Sequence, residues 1–279
     1  TTIPPLVDIR LPVLPFSERE NVIAKAPLLN IKFNIPKNVV KLAAILQEYF
    51  GAESVLIFGS AVTEQVFSAL FPNDLGIKRN DIDFALFVTD VEKAKALLFE
   101  LAKKFPEIFS KFHPSENRLE FFECISGNEE IDFVFVDARQ MTFEDFVKRR
   151  DIALSSMFAK LNGEIYDYQN GFKDLQEKTV SFVKGFYANN DPASLLNYLR
   201  KSYYPNFSVK AEDIKYVEDN ARYLPIIVGP RVLLTHFQKH FHCGHATLAL
   251  QSWLERNIFS VLLPGVLETI GAHPYSRHR

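Results

Sequence analysis

Two aspartates one residue apart, Asp81 and Asp83, open the run DIDFALFV, and a third, Asp132, opens the later run IDFVFV. In an extended strand, residues i and i+2 face the same side, so Asp81 and Asp83 project together while Ile82 points away. Two adjacent carboxylates repel one another until a cation neutralises them, and hard oxygen donors at this spacing suit Mg²⁺ or Mn²⁺. Asp132 is a third candidate, which would join them if its strand lay beside theirs. Upstream, Gly59-Ser60 directly follows the apolar run SVLIF and directly precedes SAVTEQVFSALF. A glycine there lets the backbone approach a phosphate, and the amides and dipole at a helix N-terminus favour an anion. Taken singly, each feature has an ordinary reading, as a strand-to-helix turn and as a solvated strand end. In this order they describe two-metal transfer of a nucleotidyl group. One ion activates an attacking hydroxyl and the other holds the triphosphate.

Those side chains need elements to hold them. Pro36 sits where a first helical turn tolerates proline, and VVKLAAILQEYF then runs with apolar spacings of three and four until Gly51. SVLIF (54–58) is a short buried strand, residues 60–71 a helix and 72–80 a loop. DIDFALFV is a strand, and Asp90 caps an amphipathic helix over 90–105. RLEFFECI and EIDFVFVD form a strand pair turned at SGNEE. Beyond them the pattern is helical almost to the end, with short strands near 164–167. The chain therefore reads as α+β: an irregular Pro-rich lead-in over 1–35, a mixed α/β domain over 36–180, and a helical domain over 181–279.

The 279 residues carry 32 Lys+Arg against 34 Asp+Glu, which excludes a uniformly basic nucleic-acid binder. The charge is uneven: residues 1–175 hold 20 basic and 26 acidic side chains, and residues 176–279 hold 12 and 8. A hydrophobic content of 47% excludes global disorder. Two cysteines, Cys124 and Cys243, cannot build a disulfide framework. With no apolar run long enough to span a bilayer and no signal-peptide pattern at the start, the expectation is a cytoplasmic protein without a membrane partner.

FGSAVTEQVF followed by DIDFALF resembles the opening of the polymerase-β-like nucleotidyltransferase superfamily. RRDIALSSMFAKLNGEIYDYQNGFKDL, from Arg149 to Leu175, narrows the resemblance to the class II CCA-adding enzymes and bacterial poly(A) polymerases. DPASLLNYLRK and the segment from LLTHFQKHFHCGHATLAL onward resemble that family's next helices, so the likeness runs in order over about residues 36–265. It implies a nucleotidyltransferase head, a mixed sheet flanked by helices, followed by an all-α neck. Gly59 and Ser60 would cradle the triphosphate, and Asp81 and Asp83 would hold metal. Arg149, Arg150 and Asp151 would meet the ribose and phosphates of the incoming nucleotide, and Asp191 and Arg200 would lie near its base. The implied substrate is ATP or another NTP, and the implied reaction adds NMP, with AMP foremost, to an RNA 3′ hydroxyl.

The sequence departs from the family pattern at several positions. Thr63 and Glu64 stand where the family carries an Arg-Asp pair, and Asn190, Ser194 and Asn197 replace an acid and two arginines on the nucleotide-reading helix. Family members also continue into RNA-gripping helices, whereas this sequence ends at HPYSRHR, so the expected acceptor is a short RNA end, something delivered by a protein partner that supplies RNA grip, or not RNA. Two other readings stay open: a nucleotide- or RNA-binding module without catalysis, and transfer to a small-molecule or protein hydroxyl. A dense group, His236, His240, His242, Cys243 and His245, holds a spacing of four that can bind zinc on a helix, although no third ligand stands at a standard spacing.

Overall fold

A computed structural model describes residues 30–74, 76–77, 79, 81–114, 121–183, 193–228, 230–242, 246–256 and 258–262. Two compact units divide the chain, one formed by residues 18–178 and the other by 1–17 with 179–279.

In the first unit, the first described helix is α1 (Val40–Phe50), whose Leu42, Ala43, Ile45 and Leu46 form its buried stripe. Gly51, at φ 86°, ends it. The four residues of β1 (Val55–Phe58) are all buried, as a wholly apolar run requires of a central strand. Helix α2 (Ser60–Leu70) leaves β1 through Gly59 and ends before the connection to β2 (Ile82–Val88). Helix α3 (Val91–Lys104) follows, its first turn capped by the Asp90 side chain, which accepts from the Lys93 amide. Next come β3 (Ser110–Pro114), β4 (Phe121–Ser126) and β5 (Glu129–Asp137). Helix α4 (Phe143–Lys148), capped by Thr142, leads to β6 (Phe158–Lys160), β7 (Ile165–Tyr166) and helix α5 (Gly171–Gln176).

The described strands of this unit form one sheet in the order β3-β4-β5-β2-β1-β6-β7. The sheet is mixed: β2 and β5 run parallel, and every other pair is antiparallel. The parallel pair arises because α3, β3 and β4 intervene between β2 and β5, which is the crossover that parallel neighbours need. One face buries Ile57, Phe84 and Phe133, with the last two rings stacked 5.9 Å apart. The other face buries Leu56, Phe58, Ala85, Val134 and Phe158, against which Phe143 and Phe146 of α4 pack. Asp81 and Asp83 alternate with the fully buried Ile82 and share the second face with Ala85.

β3 and β6 do not appear in the sequence reading. SKFHP lacks the apolar alternation that marks a strand, and among the described residues it pairs only with β4, through an irregular register. β6 is three residues long and is held by β1 on one side and β7 on the other. Residues 1–29 of the Pro-rich lead-in lie outside the described set; Lys32 and Phe33 pair with the turn at Gly163–Glu164.

The second unit opens with β8 (Thr179–Val180), which pairs in parallel with β9 (Ser208–Val209). Between them lies α6 (Ser194–Lys201). After them come α7 (Ala211–Asn220), α8 (Leu224–Ile227), α9 (Pro230–His242), α10 (Ala246–Glu255) and α11 (Ile258–Leu262). Phe182 stacks on Tyr198 at 4.3 Å, and the Tyr198 hydroxyl donates to the Val180 carbonyl, which fastens α6 to the β8 segment. Among the described residues, no helix is long and apolar enough to cross a membrane.

Candidate active site

The site grows from the register of three neighbouring strands. Phe58, the last residue of β1, lies opposite Asp83 on β2, and Asp83 lies opposite Asp132 on β5. Registered residues on adjacent strands place their side chains on one face. Asp81, two residues before Asp83, lies on that face too. Carboxylate oxygens of Asp81, Asp83 and Asp132 all lie within 4.8 Å of one another, and all three residues are half-buried. Among the described residues this is the one cluster of three metal-ligating side chains close enough to share an ion. Three hard donors converging at this separation repel strongly when ionised, which is the electrostatic condition a divalent cation relieves. The donor set fits Mg²⁺ or Mn²⁺.

The Gly59-Ser60 turn abuts the acids. Gly59 has φ 77°, a left-handed conformation, and a Cβ at this position would collide with the Asp83 carboxylate. Ser60 is the first residue of α2, and its Oγ donates to a carboxylate oxygen of Asp81 at 3.1 Å. The helix N-terminus and the acid pair are thereby tied to one another.

Thr63 explains itself structurally. It is only 2% exposed, and its hydroxyl faces the carbonyls of Gly59 at 3.0 Å and Leu154 at 2.6 Å. The residue locks the first turn of α2 to the 3-10 turn Ala153–Ser155 that follows the Arg-Arg-Asp run. Glu64 accepts from Arg79 at 2.8 Å. The same guanidinium makes a two-toothed contact with Glu129 at 2.7 and 3.3 Å. Arg79 lies two residues before Asp81, Glu129 three before Asp132, and Glu64 four after Ser60, so one side chain ties α2 and β5 to the segment that enters β2. The Arg79 guanidinium holds the Glu129 carboxyl below the usual glutamate range. Sequence reasoning missed Arg79; its only signal was a cation just upstream of an acid pair.

Arg149 is exposed and caps the C-terminus of α4. The Arg150 guanidinium lies over the rings of Phe58 and Phe146. Asp151 accepts from the Ile152 amide at 2.8 Å. Farther along the same motif, buried Asp167 accepts from the amides of Gln169, Gly171 and Phe172 and fixes the entry to α5. Burial pushes the Asp167 carboxyl above the ordinary aspartate range, against the pull of those N–H bonds. At Gly171 a Cβ would strike the Ala153 carbonyl, so α5 packs directly on the 3-10 turn.

The structure thus groups Gly59, Ser60, Asp81, Asp83 and Asp132, with Arg150 held on Phe58 beside them. Arg200 belongs to the second unit, where its nearest described hydrogen bond is a long one, 3.4 Å, to Asn197. Asp191 and Asn190 lie outside the described residues, as do Cys243 and His245 of the histidine group. His236 is buried in α9.

Residues 73–181 match the family described as the poly A polymerase head domain; that match includes Asp81, Asp83, Asp132 and Arg149–Asp151 and begins after the Gly59 turn. The human mitochondrial CCA tRNA nucleotidyltransferase 1 is 30% identical over 177 residues, covering 56% of this chain and 38% of that protein. The multifunctional CCA protein of Dechloromonas aromatica (strain RCB) is 28% identical over 162 residues, covering 57% and 37%. A solved CCA-adding enzyme in complex with ATP superposes with a TM-score of 0.62 at 22% identity, covering 82% of this chain and 54% of that one. The chain therefore spans less than two fifths of the length of these curated relatives and about half of that structure. Through its residues 73–181, this chain is similar to the poly A polymerase head-domain family.

Proposed function

We propose that the protein is a metal-dependent nucleotidyltransferase that moves an NMP, AMP foremost, from an NTP to the 3′ hydroxyl of an RNA, releasing pyrophosphate. The observation that carries this reading is the convergence of Asp81, Asp83 and Asp132 within 4.8 Å beside a glycine turn at a helix N-terminus. The names of the relatives, which are tRNA nucleotidyltransferases and CCA-adding enzymes, support the same reading.

In the reaction, the acceptor oxygen bonds to the α-phosphorus, the bond to the β-phosphate oxygen breaks, and the acceptor proton is lost as pyrophosphate leaves. A divalent ion held by the three aspartates would ease ionisation of the hydroxyl and offset charge on the leaving group. The chain's own residues do the positioning. Gly59 lets the backbone approach the phosphates without a side chain in the way, and the α2 N-terminus favours their negative charge. Ser60 orients Asp81 through its hydroxyl bond. Arg149, Arg150 and Asp151 meet the ribose and phosphates, and Asp191 and Arg200 read the base. Guanidinium forks suit phosphate oxygens in a way that ammonium groups do not. A cytoplasmic location completes the proposal.

The test is incubation of the chain with each labelled NTP, Mg²⁺ or Mn²⁺ and total cellular RNA, followed by gel analysis and a pyrophosphate assay. Label in RNA, strongest with ATP, is expected. Tight nucleotide binding with no pyrophosphate released across all acceptors would overturn catalysis and leave a binding module. Pyrophosphate released without labelled RNA would move the acceptor to a small molecule or a protein.

A further inference from the structure

Arg150 follows the C-cap of α4, and its guanidinium carbon lies 4.2 Å from the centre of the Phe58 ring and 4.6 Å from that of Phe146. The two rings meet edge to face, 5.4 Å apart at 82°, so the guanidinium is nested in the angle between them. Phe58 directly precedes Gly59 and is registered with Asp83, so its ring stands on the sheet face that carries the acids. We infer that Phe58 and Phe146 form an aromatic clamp that holds the Arg150 guanidinium beside the Gly59 turn, ready for the phosphates of a nucleoside triphosphate. The inference rests on the nucleotidyl-transfer reading above and assigns two positioning residues to it.

Three physical points support the clamp. An arginine free in solution loses rotamer entropy when it meets a phosphate, whereas one already packed on two rings has lost much of it beforehand. A guanidinium lying over a ring is attracted by the π face, and the planar N–H fork of arginine suits phosphate oxygens. The clamp is itself fixed: Phe58 is buried, Phe146 meets Phe87 edge-on at 5.5 Å, and Thr142 caps the short helix that carries Phe146. If Phe146 served only as core, its replacement would change nucleotide affinity equally with and without Arg150.

That difference gives the test, a double-mutant cycle read by calorimetric titration of ATP with Mg²⁺. Phe146→Leu is expected to weaken ATP binding about fivefold, the scale of one lost cation–π contact. Phe146→Trp should restore affinity to within about twofold, because the ring face is retained. Arg150→Ala should weaken ATP more, and adding Phe146→Leu to it should change nothing further. The loss caused by Phe146→Leu should also be larger for ATP than for adenosine. Thermal melts establish that each variant is folded, and Phe146→Met, which removes the ring but keeps much of the volume, replaces the leucine variant if that one fails to fold. Unchanged ATP affinity in the folded ring-less variant, or an equal loss with and without Arg150, overturns the clamp while wild-type binding leaves the broader reading standing. Wild-type protein that binds no ATP with Mg²⁺ overturns both.

Discussion

At the scale of single residues, three side chains decide whether the site can exist. Gly59 combines φ 77° with the Asp83 carboxylate pressed against it, so Gly59→Ala meets both backbone strain and a collision. It is expected to lower stability by more than about 1 kcal/mol and to abolish nucleotide incorporation, measured by denaturant melts beside the gel assay. Thr63 is buried and its hydroxyl bridges two carbonyls. Thr63→Val keeps the shape but leaves the Leu154 carbonyl without that donor, an expected cost of about 1–2 kcal/mol in a urea melt. An unchanged midpoint would mean that the hydroxyl is not holding the turn. Cys124 is a different case: burial, reinforced by Asp132, pushes its thiol up to about 12. The thiolate is the reactive form, so Cys124 should resist iodoacetamide at pH 8 in the native protein and react readily once the chain is unfolded, which mass spectrometry reads directly.

At the scale of elements, the site depends on β1, β2, β5 and α2 keeping their register, and Arg79 braces α2 and β5 to the segment that enters β2. Arg79→Ala should cost about 1 kcal/mol at neutral pH, since it removes charged contacts to Glu64 and Glu129 that are only partly shielded from water. The Glu129 carboxyl is depressed chiefly by its bond to Arg79, so this stabilisation is present above the ordinary glutamate range and is lost as pH falls below that range through the depressed folded value. The stability gap between wild type and variant should accordingly close on acidification, and a gap constant from pH 7 to pH 3 would contradict the brace. This scale also shows what the sequence could and could not reveal. Alternation around Ile82 places Asp81 and Asp83 on one face, and the strand-glycine-helix pattern at 54–71 is plain from residue types alone. The pairing of Asp83 with Asp132 depends on β5 returning beside β2 in parallel, a long-range choice that no local pattern encodes. Strand β3 was invisible because SKFHP has no alternation, and the burial of Thr63 was invisible because threonine is equally at home in water.

At the scale of the whole molecule, the 18–178 unit contains its own seven-stranded sheet and core, together with every described member of the acid cluster. We expect that unit, expressed alone, to give a dispersed amide spectrum and a cooperative melt. A molten fragment would show that the second unit is needed for folding. The measurement that bears most directly on the central claim is incorporation of labelled nucleotide into RNA by wild type and by Asp81→Asn/Asp83→Asn, with matched circular dichroism to establish folding. The account expects the substituted protein to retain its fold and lose incorporation by at least about a thousandfold, the scale of removing electrostatic stabilisation of the transition state. Incorporation by the folded double variant at the wild-type rate would contradict it.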